Sequence, residues 1–303
     1  MVFELHNSIN QRIFMPNAFG VELFLKREDA IHPFISGNKY RKLKYNIEEA
    51  KYLGVTKLLT FGGAYSNHIA AVAFAGKTFG FETIGIIRGE ELKDKISENS
   101  TLSFAKSCGM RFEFVSREAY RHKNSQDFIE ALKSFHGDFY LVPEGGTNHL
   151  AVKGCEEILI DVDSEFDFVC CAVGTGGTIS GLINCSQPSQ QILGFPALKG
   201  VFLQEDISKF ANKKNWSLIL GYHFGGYAKI NEALVHFINR FKKENNIRLD
   251  PVYTGKMMFG IFDLIKEGYF PKGSKILAIH TGGLQGVAGM NKTLEQKKMP
   301  LIE

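Results

Sequence analysis

Four cations crowd into six residues of the stretch ISGNKYRKLKY (35–45): Lys39, Arg41, Lys42 and Lys44. Amine chemistry needs a neutral nitrogen. A lysine gives up its proton early where burial and neighbouring cations disfavour the charge. Ser36, Gly37 and Asn38 sit just before the four cations, and any one of the three lysines, the first being Lys39, could do such chemistry. Lys42 would share the helix face of Lys39. The competing reading is a solvated helix start, because lysine seldom leaves the surface. Arg41 and Lys44 are expected at the surface.

Two further segments could bind a ligand. The turn Gly174-Thr175-Gly176-Gly177-Thr178 follows the apolar run FDFVCCAV and opens a helix. Backbone N–H groups at such a helix start make a ready anion site, and phosphate is the usual occupant. A dinucleotide fingerprint does not fit, because Ile179 stands where the last glycine belongs and no acidic residue follows at a suitable distance. A P-loop is absent too: Gly255-Lys256 runs into Met257. The turn is then either a cup for a small monophosphate or an ordinary tight strand–helix turn. Ser66, Asn67 and His68 open another helix, with Ser66 or Asn67 as a natural N-cap. Ser66 and His68 are two apart and cannot face each other on a helix, so they form no hydrolase triad. There is no HExxH metal motif.

Strand and helix patterns must position these residues, and they alternate almost throughout. Strand-like runs fall at 21–29, 57–63, 82–89, 111–116, 139–146, 166–174, 190–195, 217–223 and 275–283. Helical patterns fall at 40–54, 66–80, 103–109, about 117–135, 149–160, from 177, 230–245 and 256–267. Such alternation predicts parallel sheets covered on both faces, an α/β fold. Several strands end in Gly-rich turns, FGGAYSNH, PEGGTN, VGTGGT and HTGG, which should converge beyond the carboxyl ends of the strands.

The chain has 303 residues, 44 % hydrophobic and 22 % charged, enough for one large domain or two ordinary ones. A net charge of +4 with scattered cations argues against a nucleic-acid binder. The five cysteines form no CxxC pair, and the N-terminus carries no signal-like segment. No apolar run reaches membrane-spanning length. The expectation is a cytoplasmic protein with reduced thiols and no membrane partner.

SGNKYRKL, GGAYSNH, VGTGGTISG, DPVYTGKM and HTGG, in this order, resemble the 1-aminocyclopropane-1-carboxylate deaminase / D-cysteine desulfhydrase family of fold-type II pyridoxal-phosphate enzymes. The resemblance spans about residues 5 to 290. It implies two open, parallel-rich twisted sheets with helices on both faces. A larger cofactor-binding domain would take residues 1–50 and 150–303, and a smaller substrate-closing domain 51–149. It implies pyridoxal 5'-phosphate linked to Lys39, with Lys42 and the 174–178 turn on the phosphate. Asn67 would meet the cofactor oxygen, and Ser66 and His68, with Asn67, the substrate carboxylate. Tyr253 would stand near the reacting carbon and Thr254 near the ring nitrogen.

The deaminases carry Glu at the position of Thr254. A hydroxyl supplies no charge to the ring nitrogen, which favours elimination from D-cysteine over opening of a cyclopropane. Ile69, Ala70 and Ala71 replace the Arg or Gln often found after the SNH triplet, implying a smaller or more apolar pocket. Family analogy also implies a small amino-acid substrate and a homodimer.

Overall fold

The computed structural model describes residues 4–15, 20–35, 37–200 and 202–303. Strands β1 (Asn10–Arg12) and β2 (Glu22–Lys26) lead into helix α1 (Asn38–Tyr52). There follow β3 (Lys57–Gly62), α2 (Asn67–Phe79), β4 (Glu82–Arg88), α3 (Ser100–Ser107) and β5 (Arg111–Val115). Next come α4 (Gln126–His136), β6 (Tyr140–Val142) and α5 (His149–Cys155). The second half runs β7 (Phe168–Val173), α6 (Gly177–Cys185), β8 (Gln191–Pro196), α7 (Phe202–Ser208) and β9 (Trp216–Leu218). It closes with α8 (Glu232–Asn245), α9 (Thr254–Lys266), β10 (Lys275–Ile279) and α10 (Gly286–Gln296).

Two open sheets form. One has the order β1-β2-β10-β7-β8-β9, the other β5-β4-β3-β6. Every pairing is parallel except β1 with β2. The central strands β7 and β10 are almost continuously apolar and buried, as strands covered on both faces must be. In the first sheet the chain steps outward from β7 to β8 and β9, then returns to place β10 on the other side of β7. In the second it steps from β3 to β4 and β5, then returns to place β6 beside β3. Each sheet thus has a switch point, and a crevice opens there beyond the carboxyl ends of its strands.

Helix α1 links the two bodies. Its Leu43, Ile47 and Ala50 pack with Leu58, Val72 and Val142 of the four-stranded layer. The start of α1 abuts the turn after β10. A Cβ on Gly37, whose φ is +58°, would lie 2.2 Å from the Thr281 carbonyl oxygen, so only glycine brings α1 this close.

Several local expectations shift. The run at 217–223 pairs only over Trp216–Leu218 before turning. The helix expected at 117–135 is a short 3-10 turn at Ala119–His122 followed by α4. Helices α7 and α10 and the antiparallel β1 went unread. Arg41, expected at the surface, is 5 % exposed and clamps the buried Glu28 carboxylate through two hydrogen bonds of 2.8 Å. Lys44, also expected in solvent, is half-buried against Glu157 at 2.7 Å. No helix among the described residues is long and apolar enough to cross a membrane.

Candidate active site

The turns after β3, β6, β7 and β10 meet at one cleft holding about 580 Å3 of free space, part of it open to solvent. Asn67, Gly145, Gly174 to Gly176 and Thr281 to Gly283 line it, with Lys39 and Lys42 entering from the first turns of α1. Both switch points therefore face the same space.

Lys39 is half-buried, and its Nζ donates to Asn38 Oδ1 at 3.1 Å. Asn38 in turn donates to Thr178 Oγ1 at 2.9 Å, tying the lysine to α6. Burial first, and then the charge of Lys42, hold the Lys39 amine down at about 7. Arg41 takes no part in that shift, because Glu28 neutralises it.

Lys42 is 3 % exposed, and its Nζ donates to the Gly145 carbonyl and to Thr147 Oγ1, both at 3.1 Å. Thr147 Oγ1 lies 2.7 Å from Thr175 Oγ1. Among the described residues no carboxylate pairs with Lys42. A buried cation without an anion is costly. This one points at the N-terminus of α6, whose first N–H groups lack intrahelical partners. A Cβ on Gly177 would stand 2.7 Å from Thr147 Oγ1 and 3.2 Å from Lys42 Nζ. Glycine thus keeps open a seat ringed by an ammonium, two hydroxyls and backbone donors, which suits a phosphate.

Asn67 lines the cleft, and its Oδ1 is buried with no hydrogen-bond partner. Ser66 caps α2, accepting from the Ile69 N–H at 3.4 Å, and stands just behind the lining. His68 is not among the residues that line the cleft, and its Nδ1 is buried with no hydrogen-bond partner among the described residues. It is 3 % exposed, with Nε2 at 2.7 Å from Thr60 Oγ1. Burial, then Lys39 and Lys42, push it well below its ordinary range, so it is neutral. The sequence brought His68 to the site, but its ring supports the wall.

Tyr253 lines the opposite side. Burial, then the neighbouring Tyr227, push its phenol well above the usual range, so it keeps its proton. Thr254 is fully buried behind it, outside the lining. Its hydroxyl donates to Asp250 Oδ2 at 2.6 Å. Asp250 also accepts the N–H groups of Val252, Tyr253 and Thr254, at 2.8–2.9 Å, and so caps α9. Thr281 does line the cleft, beside Thr175 and Thr178, and was unread from sequence beyond its HTGG turn. Asn38 and Gly145 were missed too. Glycine in PEGGTN was the available signal for Gly145, and the position before Lys39 for Asn38.

Among the described residues the cleft lining includes no aspartate or glutamate. No cluster of His, Cys, Asp or Glu that could hold a metal ion occurs among them either.

The chain is similar to known proteins. The family model described as pyridoxal-phosphate dependent enzyme matches residues 12–282. A putative 1-aminocyclopropane-1-carboxylate deaminase of Pyrococcus horikoshii is 31 % identical, over 90 % of this chain and 89 % of the relative. The mitochondrial bifunctional D-cysteine desulfhydrase/1-aminocyclopropane-1-carboxylate deaminase of Arabidopsis thaliana is 29 % identical, over 90 % of this chain and 74 % of the relative. The crystal structure of an ACC deaminase homologue superimposes with a TM-score of 0.80 at 27 % identity, covering 96 % of this chain and 93 % of the other.

Proposed function

Because the chain belongs to the pyridoxal-phosphate dependent enzyme family, we propose that it is a lyase that removes the β-substituent and amine of a small amino acid. The best candidate is D-cysteine, which with water gives pyruvate, sulfide and ammonia. The observation that carries the reading is a pair of lysines on one turn of α1, neither facing a carboxylate in the cleft. Lys39 has the depressed amine that a covalent link to an aldehyde requires. Lys42 has a buried charge in need of a phosphate.

The residues present fit the cofactor. Lys42, Thr147, Thr175 and the N–H groups at the start of α6 would hold its phosphate. Lys39 would hold its aldehyde carbon. The carboxamide of Asn67, which lines the cleft, would donate through Nδ2 to the ring oxygen. The bound cofactor supplies the electron sink that makes the α-proton of an amino acid acidic.

The chain's own groups then divide the proton work. The Lys39 amine, held down at about 7 and so able to exchange a proton at neutral pH, takes the α-proton. The Tyr253 phenol, kept protonated by burial, gives a proton to the departing sulfur. The N–H groups opening α2, beside Ser66 and Asn67, receive the substrate carboxylate. Ser66 supports that seat as the cap of α2.

The acid-free lining bears on the substrate. Asp250 stands one hydrogen bond behind Thr254, its charge already spent on three N–H groups and a hydroxyl. No carboxylate is then available at the wall to keep the ring nitrogen protonated. A weaker sink suits loss of a good leaving group better than cleavage of a cyclopropane. The names of several relatives favour the second reaction, deamination of 1-aminocyclopropane-1-carboxylate to 2-oxobutanoate. Purified, cofactor-loaded protein should be offered D- and L-cysteine, other β-substituted amino acids and the cyclopropane acid. Equal sulfide and pyruvate from D-cysteine is the expected result. Preferred 2-oxobutanoate release would assign the deaminase reaction instead.

A further inference from the structure

A second lysine is buried without a carboxylate, outside the cleft. Lys256 is 2 % exposed and sits in the first turn of α9, three residues after Tyr253. Its Nζ donates to three backbone carbonyls: Gly226 at 2.8 Å, His223 at 2.9 Å and Ala197 at 3.3 Å. An ammonium has three donors, and all three are used. It joins the N-terminal turn of α9, the carboxyl end of β8 and the loop before α8.

That loop is under backbone strain. Phe224 and Ala228 adopt φ of +54° and +55°, and between them Gly225 and Gly226 have φ of +95° and +127°. Non-glycine residues in this region persist only where their surroundings force them. The loop's short turns, Gly226 N–H to His223 O at 3.0 Å and Lys229 N–H to Gly226 O at 3.1 Å, share two of the carbonyls that Lys256 holds. Tyr227, 50 % exposed, sits at the crest. Its ring meets that of Tyr253 edge to face, with centroids 6.2 Å apart.

We propose that Lys256 is a positioning residue: its buried ammonium pins the left-handed loop 223–228 so that Tyr227 stands against Tyr253 at the cleft. The role of Tyr253 in this statement rests on the function proposed above. Lys256 touches neither substrate nor cofactor. It acts by fixing the tyrosine that fixes the proton donor.

The test uses the holoenzyme with Lys256→Met, which keeps the length and removes the charge. Three outcomes are expected together. The visible band and cofactor stoichiometry stay at wild-type values. Amide hydrogen exchange in the 220–230 peptide speeds up about tenfold or more, as a released loop should. Turnover falls about tenfold with KM within about a factor of two, the pattern of a lost transition-state interaction. Unchanged exchange, or faster exchange with unchanged turnover, overturns the proposal.

Should that variant fail to fold, Gly226→Ala attacks the loop from its other side. Its Cβ would meet nothing within 4 Å, so only the φ of +127° is disturbed. The same exchange and turnover changes are then required, and their absence overturns the proposal equally. The exchange arm needs no substrate. If the wild type releases no keto acid from any amino acid, the functional reading fails while exchange still judges the clamp.

Discussion

The capture of pyridoxal phosphate by the apoprotein should level off with pH near 7, far below the point expected of an ordinary lysine. The perturbation is pH itself, acting on the Lys39 amine. Burial and the Lys42 charge bring that amine from 10.5 to about 7. The neutral form is the nucleophile. At pH 7 about half of the amines are then neutral, against about one in 3,000 for a free lysine. The observed rate should climb about tenfold per pH unit below 7 and flatten above it. The assay is stopped-flow growth of the visible band after mixing apoprotein with pyridoxal phosphate between about pH 5.5 and 10. A rate still climbing between pH 8 and 10 would refute the reasoning, because it would place the reacting amine in solvent. Lys42→Met provides an internal control. Removing the adjacent charge raises the Lys39 amine, so the break must move to higher pH.

Other outcomes follow from the same geometry. Lys42→Met should weaken cofactor binding about 10- to 100-fold, the worth of one charge-assisted contact, read by titration of the apoprotein. Gly177→Ala puts a methyl into the phosphate seat, 2.7 Å from Thr147 Oγ1, and should also weaken binding in the same titration. Tyr253→Phe should keep the cofactor band and lose turnover about 100-fold or more, the usual range for a proton donor. Asp250→Ala strands three N–H groups and a buried hydroxyl at the start of α9, and should cost about 2–4 kcal/mol in denaturant unfolding.

Much of this was legible in the sequence because parallel α/β folds write themselves plainly. The runs that became β3, β4, β7, β8 and β10 are largely apolar on both faces, and all but β8 run into a glycine turn. The helices α2 and α6 begin where Ser66 and the Gly176-Gly177 turn say they should. Lys39, Lys42, Asn67, Gly174, Thr175, Gly176, Thr178 and Tyr253 all reach one cleft. What the sequence hid depends on long-range partners. Arg41 looked like a surface cation because nothing local shows that Glu28, thirteen residues earlier, waits beneath it. His68 bonds Thr60 of β3 through Nε2, a partner that its place at the start of α2 does not reveal. Thr254 and Thr281 both follow chain turns beside the cleft. Only the three-dimensional path shows that the first hydroxyl is turned to Asp250 and that the second residue lines the cleft. Strand β9 and the loop after it failed to read as such because β propensity at 217–223 does not show that pairing stops at Leu218 and a 3-10 turn follows at Leu220–Tyr222.

The central claim is that Lys39 carries the cofactor. Cofactor-loaded protein should be reduced with borohydride, digested and mapped by mass spectrometry. The account predicts the phosphopyridoxyl mass on the Lys39 side chain alone, and its loss, together with the visible band, in Lys39→Ala. A label on Lys42 or Lys256, or an unchanged band in Lys39→Ala, would contradict it.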